Sequence, residues 1–169
     1  IFEIDERIRS DGSVAKHLDQ MDLEAIGTKI SKGGYGAVAI CLMHSYLNDV
    51  HEQIVNDFLT KKFPGLEVSR SSVVLPVFRE YERTMATVMN AMVQPLVGKY
   101  IGQLEVGLKE RKIQAPMLIM KSNGGVFPPT EAAHSGVHMA LSGPAAGTIG
   151  AAYLGSLCEI KDMITIDIG

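Results

Sequence analysis

The chain has 169 residues, 46% hydrophobic and 21% charged, with 16 Lys+Arg against 19 Asp+Glu for a formal net charge of -3. This composition supports a globular core and excludes a disordered or collagen-like chain, and its mildly acidic balance provides no electrostatic footprint for nucleic acid or an anionic membrane. No apolar run approaches the roughly 18 residues of a spanning helix and Ile1-Phe2-Glu3-Ile4-Asp5-Glu6 is no signal peptide, so a cytoplasmic protein is expected.

Residues 1 to 9 alternate apolar and charged and lead into Asp11-Gly12, the strongest short hairpin signal, before Val14 to Leu18, so a β-hairpin is predicted. Asp22 is placed to cap a short helix in which Leu23, Ile26 and Ile30 recur at helical spacing and which Gly33-Gly34 ends. The apolar run from Ala37 to Met43 predicts a strand buried on both faces. Asn48 caps a helix carrying Ile54, Val55, Phe58, Leu59 and Phe63, Pro64-Gly65 stops it, and Leu66 to Ser69 forms a second strand, giving a right-handed parallel crossover.

The longest element is a helix over about 78–112, where Met85, Val88, Met89, Met92, Leu96, Tyr100, Leu104 and Leu108 fall three or four apart, a stripe that should face a core. Pro95 should kink or split it. A buried strand from Met117 to Met120 closes on Ser122-Asn123-Gly124-Gly125. A turn of helix near Thr130 to His134, a helix from Ser142 to about Leu154 and a strand from Met163 to Ile168 complete an α/β chain with a mixed sheet and packed helices. Cys41 and Cys158 lie far apart in apolar surroundings, which predicts free, buried thiols.

Three stretches point to chemistry. In Ser142-Gly143-Pro144-Ala145-Ala146-Gly147, Ser142 or Gly143 suits an N-cap and Pro144 the first turn, leaving backbone donors for an anion; equally, Gly143, Gly147 and Ala151 recur every four residues and allow another backbone to pack closely. Ser122-Asn123-Gly124-Gly125 sits at the carboxyl end of a strand, where open α/β sheets bind ligands, although an ordinary strand-to-helix turn reads the same way. Asp167 before Gly169 suits a hydrated Mg²⁺ near phosphates or a simple turn. Arg79 with Glu82 and Glu80 with Arg83 read as an exposed ion-pair lattice, and His134 with His138 lacks the context of a metal site. No complete catalytic constellation is visible, and catalytic residues stay unassigned.

Taken in order, Phe78-Arg79-Glu80-Tyr81-Glu82-Arg83-Thr84 with Asn90-Ala91, Met120-Lys121-Ser122-Asn123-Gly124-Gly125, Leu141-Ser142-Gly143-Pro144-Ala145-Ala146-Gly147 and Ile164-Thr165-Ile166-Asp167-Ile168-Gly169 resemble the hydantoinase A / 5-oxoprolinase family, which includes N-methylhydantoinase A and acetone carboxylase β-type subunits. Asp5-Glu6-Arg7 and the run from Ala39 to Tyr46 before His51-Glu52 are similar too. The resemblance implies the actin-like ATPase fold, two ribonuclease-H-like lobes with a nucleotide between them, and a longer protein that couples ATP hydrolysis to opening a cyclic amide or hydantoin. It implies that the chain, which lacks an initiator Met and stops inside a phosphate turn, is cut at both ends. Residues 1–156 would be the later part of the first lobe and 157–169 the opening strand of the second. It further implies ATP with Mg²⁺ as cofactors. Asp167 would be the metal residue, and Asp167, Gly169, Ser142, Gly143, Ala145, Gly147, Ser122, Asn123, Gly124 and Gly125 would lie at the nucleotide. The remainder of its own chain and a hydantoinase B-type subunit would be partners. A ketone carboxylase subunit of the same family and a non-catalytic binding module are the alternatives.

Overall fold

The computed structural model describes residues 1–168; Gly169 lies outside the described residues. They form two compact units, Ile1–Pro95 and Leu96 onward.

The first unit opens with the expected hairpin, β1 (Arg7–Ile8) antiparallel to β2 (Val14–Lys16). Its turn is set by Asp11, whose carboxylate accepts the Ser13 hydroxyl at 2.6 Å and the Ser13 amide at 2.9 Å, and by Gly12 at φ +83°. Those two hydrogen bonds hold the Asp11 carboxyl below its usual range. Helix α1 (Gln20–Gly33) is capped by Asp19 accepting the Met21 amide at 2.9 Å, not by Asp22, which lies one turn on where its charge favours the helix dipole. Gly34 in the left-handed conformation ends it.

Strand β3 (Ala37–Ile40), helix α2 (Val50–Lys62) and strand β4 (Glu67–Arg70) form the expected parallel unit, in register from Ala37 opposite Glu67 to Ile40 opposite Arg70. Asn48 contributes to the start of α2 by accepting the Val50 amide at 3.2 Å. Leu23, Ile26 and Ile30 of α1, Ile40 of β3, and Val55 and Leu59 of α2 make the core. β3 is shorter than expected and only Ile40 is fully buried, because among the described residues its sheet has two strands.

After α3 (Ser71–Val74), helix α4 (Glu80–Glu110) runs through Pro95 without a break. Its burial corrects the stripe expected from periodicity: Met85, Val88, Met89, Met92, Leu96 and Tyr100 are exposed, Leu96 at 73%. Arg83, Thr87, Asn90, Ala91 and Gln94 are buried instead. The reason lies in what α4 packs on. β3 and β4 present polar groups that need partners, so Arg83 donates to the Leu42 carbonyl (2.9 Å) and Asn90 to the Ser69 hydroxyl (2.9 Å), and Arg83 also donates to the Val77 carbonyl (3.1 Å) in the segment leading into α4. The ion-pair lattice is correspondingly half formed: Arg79–Glu82 pairs at 3.3 Å in solvent, whereas Arg83 is committed to backbone carbonyls.

The second unit holds the hairpin β5 (Ile119–Met120) and β6 (Val126–Phe127), the single helical turn α5 (Pro129–Ala132), a 3-10 turn (Gly136–Met139) and helix α6 (Ser142–Leu157). Ile101, Phe127 and Ala132 form its core with Val97, Met117, Ile119 and Met139. Two expectations change here. Residues 122–125 join two antiparallel strands and do not lead from strand to helix, and residues 163–168 form no strand, having no ladder partner among the described residues. Both cysteines are free, but only Cys41 is shielded; Cys158 is exposed.

Two outcomes follow. In chemical denaturation of the chain, Glu52→Ala should cost about 3 kcal/mol, because it strands three donors that the buried carboxylate satisfies, while the exposed Met92→Ala should change stability by less than about 0.5 kcal/mol. Burial pushes the Cys41 thiol above its ordinary value, so under timed alkylation near pH 8 Cys41 should react at least about tenfold more slowly than the exposed Cys158, as read by mass spectrometry of the labelled peptides.

Candidate functional site

The N-cap of helix α6 falls at Leu141, before either expected cap, Ser142 or Gly143. Leu141 takes the N-cap position, has no side chain able to cap, and its carbonyl accepts the Ala145 amide at 3.3 Å; Ser142 is the first helical residue and Pro144 sits inside the first turn, where its missing N–H costs nothing. The first-turn amides and the positive end of the helix dipole are therefore available for an acceptor.

That end of α6 forms one wall of a cavity of about 550 Å³. Gly143, Gly147 and Thr148 line the helical wall and Thr165, Ile166 and Asp167 the other. A Cβ placed on Gly143 or Gly147 would meet no atom within 4 Å. Ala151, the third member of the four-residue small-side-chain row, also faces this space. Among the described residues the row therefore borders a cavity and has no backbone packed on it.

Asp167 is the one ionisable residue in this lining. A carboxylate opposite a helix N-terminus suits a hydrated divalent cation shared between the carboxylate and a phosphate, which is how Mg²⁺ is commonly held. The volume lies within the range of small-ligand sites. No Lys or Arg lines the cavity, so the positive complement to a phosphate chain here is the helix terminus and a cation. No group of three or more His, Cys, Asp or Glu that would cage a metal occurs among the described residues.

Of the residues singled out from sequence, the fold brings Gly143, Gly147 and Asp167 to this cavity. Ser142 and Ala145 belong to the same first turn of α6 without lining it, and Gly169 lies outside the described residues. Ser122, Asn123, Gly124 and Gly125 do not line it either. Their turn sits behind the helix, with the Ser122 hydroxyl donating to the His138 carbonyl at 2.7 Å and accepting the Leu141 amide at 3.3 Å. Thr148 was not anticipated; its only sequence signal is its place four residues after Pro144, whose carbonyl accepts its hydroxyl at 3.0 Å.

A second polar centre, in the first unit, escaped the sequence reading. At the carboxyl ends of β3 and β4, Glu52 accepts the Leu42 amide (3.1 Å), the Ser71 hydroxyl (2.6 Å) and the Ser72 amide (2.9 Å), while Arg83 holds the Leu42 carbonyl and lies 5.3 Å from the centre of the Tyr46 ring. Nearby, His51 Nδ1 is 2.6 Å from a Glu6 carboxylate oxygen in a buried pair. Acidic and basic residues scattered over 78 positions cannot be seen to converge without the fold.

Residues 83–169 match the family model described as hydantoinase/oxoprolinase, and residues 1–63 match the model of its N-terminal region. The chain belongs to the hydantoinase/oxoprolinase family. Within that family it is 32% identical over 163 residues to the caprolactamase subunit alpha of Pseudomonas jessenii, covering 96% of this chain and 23% of that one. It is 31% identical over 160 residues to the 5-oxoprolinase of Saccharomyces cerevisiae, covering 92% of this chain and 12% of that one. The crystal structure of the ATP-dependent caprolactamase from Pseudomonas jessenii superposes with a TM-score of 0.85 over 98% of this chain and 24% of that one, at 32% identity. The nucleotide-free acetone carboxylase structure superposes with a TM-score of 0.79 over 92% of this chain and 22% of that one, at 25% identity. The α/β architecture is that of part of an actin-like lobe. The chain spans about a quarter of the length of the curated relatives it matches first.

The open helical wall of this hydantoinase/oxoprolinase chain carries a stability consequence. With free space at its Cβ position, Gly147→Ala should stabilise α6 by about 0.5–1 kcal/mol and raise the thermal midpoint of the chain, measured by circular dichroism.

Proposed function

We propose that this chain is part of an ATP-dependent cyclic-amide hydrolase of the hydantoinase/oxoprolinase type and supplies one side of its nucleotide site. The observation that carries the reading is the cavity that sets the Asp167 carboxylate against the glycine-lined start of α6. Asp167 would hold a hydrated Mg²⁺, first-turn amides of α6 would donate to phosphate oxygens, and the Thr148 and Thr165 hydroxyls would add hydrogen bonds along the same space. Gly143 and Gly147 add no side chain to the wall. The nucleotide, when bound, supplies the phosphoanhydride whose hydrolysis is coupled to ring opening.

On this reading residues 1–156 belong to the first lobe of the longer enzyme and 157–169 open the second. The rest of the polypeptide completes the phosphate site, because positioning and charge stabilisation need groups on both sides of the phosphates. A second subunit, of hydantoinase B type, is a partner, in keeping with the relative named as a subunit alpha. No helix among the described residues is long and apolar enough to cross a membrane, and we place the protein in the cytoplasm. A ketone carboxylase subunit is the second reading, supported by the acetone carboxylase likeness. The higher identity and TM-score of the caprolactamase favour the hydrolase.

The test uses the full-length polypeptide with its partner subunit. ATP turnover should rise on adding 5-oxoproline, a hydantoin or caprolactam and should stop when EDTA removes Mg²⁺, and Asp167→Asn should lower it on the order of 100-fold while leaving the fold intact by circular dichroism. Wild-type turnover in Asp167→Asn sinks the nucleotide assignment, and turnover that needs bicarbonate and a ketone replaces the hydrolase with the carboxylase.

A further inference from the structure

Helix α6 starts without a cap of its own. Leu141 carries no hydrogen-bonding side chain, yet the amides at a helix start need acceptors. The Leu141 amide finds one 19 residues earlier, in the Ser122 hydroxyl at 3.3 Å. That hydroxyl donates in turn to the His138 carbonyl at 2.7 Å, and the Ser122 amide donates to the same carbonyl at 2.7 Å. Ser122 therefore bridges the end of the 3-10 turn and the beginning of α6.

The turn that presents Ser122 is itself constrained. The Lys121 amide donates to the Gly125 carbonyl (2.7 Å), the Gly124 amide to the Lys121 carbonyl (3.0 Å), and the Gly125 amide to the Asn123 side-chain oxygen (3.0 Å). Gly124 stands at φ +85°, and a Cβ there would run into the side chain of Ile149, so glycine is what allows the turn to lie directly on α6. The turn thus touches the helix at two places, the amide of its N-cap residue Leu141 and the side chain of Ile149. Gly143 and Gly147, the two glycines that line the cavity opposite Asp167, fall between those places along the chain. A helix held at two points has a fixed register and rotation, and these decide which of its residues face the cavity.

We propose that Ser122 is a positioning residue of the nucleotide site: it touches no ligand, and it sets the start of α6 so that the Gly143–Gly147 wall faces Asp167. The assignment rests on the nucleotide reading of the cavity. It replaces the role expected for the Ser122–Gly125 stretch, that of lining the cleft, with one exerted through α6.

The experiment compares Ser122→Ala and Ser122→Thr in the full-length protein, following equilibrium binding of MgATP and amide hydrogen exchange over residues 141–143. Ser122→Ala should weaken MgATP binding about 3- to 10-fold and speed exchange at Leu141 by a similar factor, the effect of one lost hydrogen bond. Ser122→Thr keeps the hydroxyl and should restore both. Gly124→Ala, which strains the turn against Ile149, should weaken MgATP in the same direction. Unchanged MgATP binding in Ser122→Ala, or a Thr variant as impaired as the Ala variant, overturns the positioning role alone. Failure of the unaltered protein to bind MgATP overturns the nucleotide reading and this role with it.

Discussion

The first unit depends on one buried carboxylate. Glu52, on α2, is fully buried and collects the Leu42 amide from the end of β3, the Ser71 hydroxyl and the Ser72 amide from the end of β4. A parallel strand pair leaves its carboxyl ends frayed unless something satisfies the backbone there, and a single acceptor reaching both strands does so. The arrangement continues through Leu42, whose carbonyl accepts the Arg83 guanidinium of α4. The backbone of Leu42 thus lies between two buried charges of opposite sign, its N–H toward the carboxylate and its C=O toward the cation. Neither charge is left without hydrogen bonds, which is the condition for tolerating burial at all.

That constraint explains the inverted burial of α4. Given a helix with an apolar stripe and a polar stripe, hydrophobicity alone places the apolar one inward. Here the surface presented by β3 and β4 carries Leu42 O and Ser69 Oγ, and the segment leading into α4 adds Val77 O; Arg83 and Asn90 supply the donors. An unpaired buried polar group costs more than an exposed methionine, so the polar face turns in. The Met85, Val88, Met89 and Met92 face is left exposed in a chain that spans about a quarter of its curated relatives.

The second unit is organised by what its residues lack. Among the described residues, small side chains at 143, 147 and 151 leave a helical wall bordering a cavity, and Asp167 is the one carboxylate in the lining of that cavity. The same spacing is equally good for packing two helices together. Sequence periodicity marked the wall without saying what stands in front of it. The Ser122–Gly125 turn illustrates the converse: its glycines signal close approach correctly, but what approaches is the side chain of Ile149.

Local grammar was legible at the turns of the first unit. Asp11-Gly12, Gly33-Gly34 and Pro64-Gly65 each end an element because their backbone conformations admit little else, and the strand-helix-strand spacing of residues 37–70 dictated parallel pairing through the length of the connection. The ordered motifs from Phe78 to Gly169 were enough to name the family, since a family is a pattern of residue types along the chain. Which face of α4 is inside, that Arg83 serves Leu42 and not Glu80, and that Gly143, Gly147 and Asp167 share a cavity while Ser122 stands behind it were decided only by tertiary structure. Those outcomes depend on which donors and acceptors meet across tens of residues, and the free energy of satisfying a buried polar group is a property of that meeting, absent from any single segment.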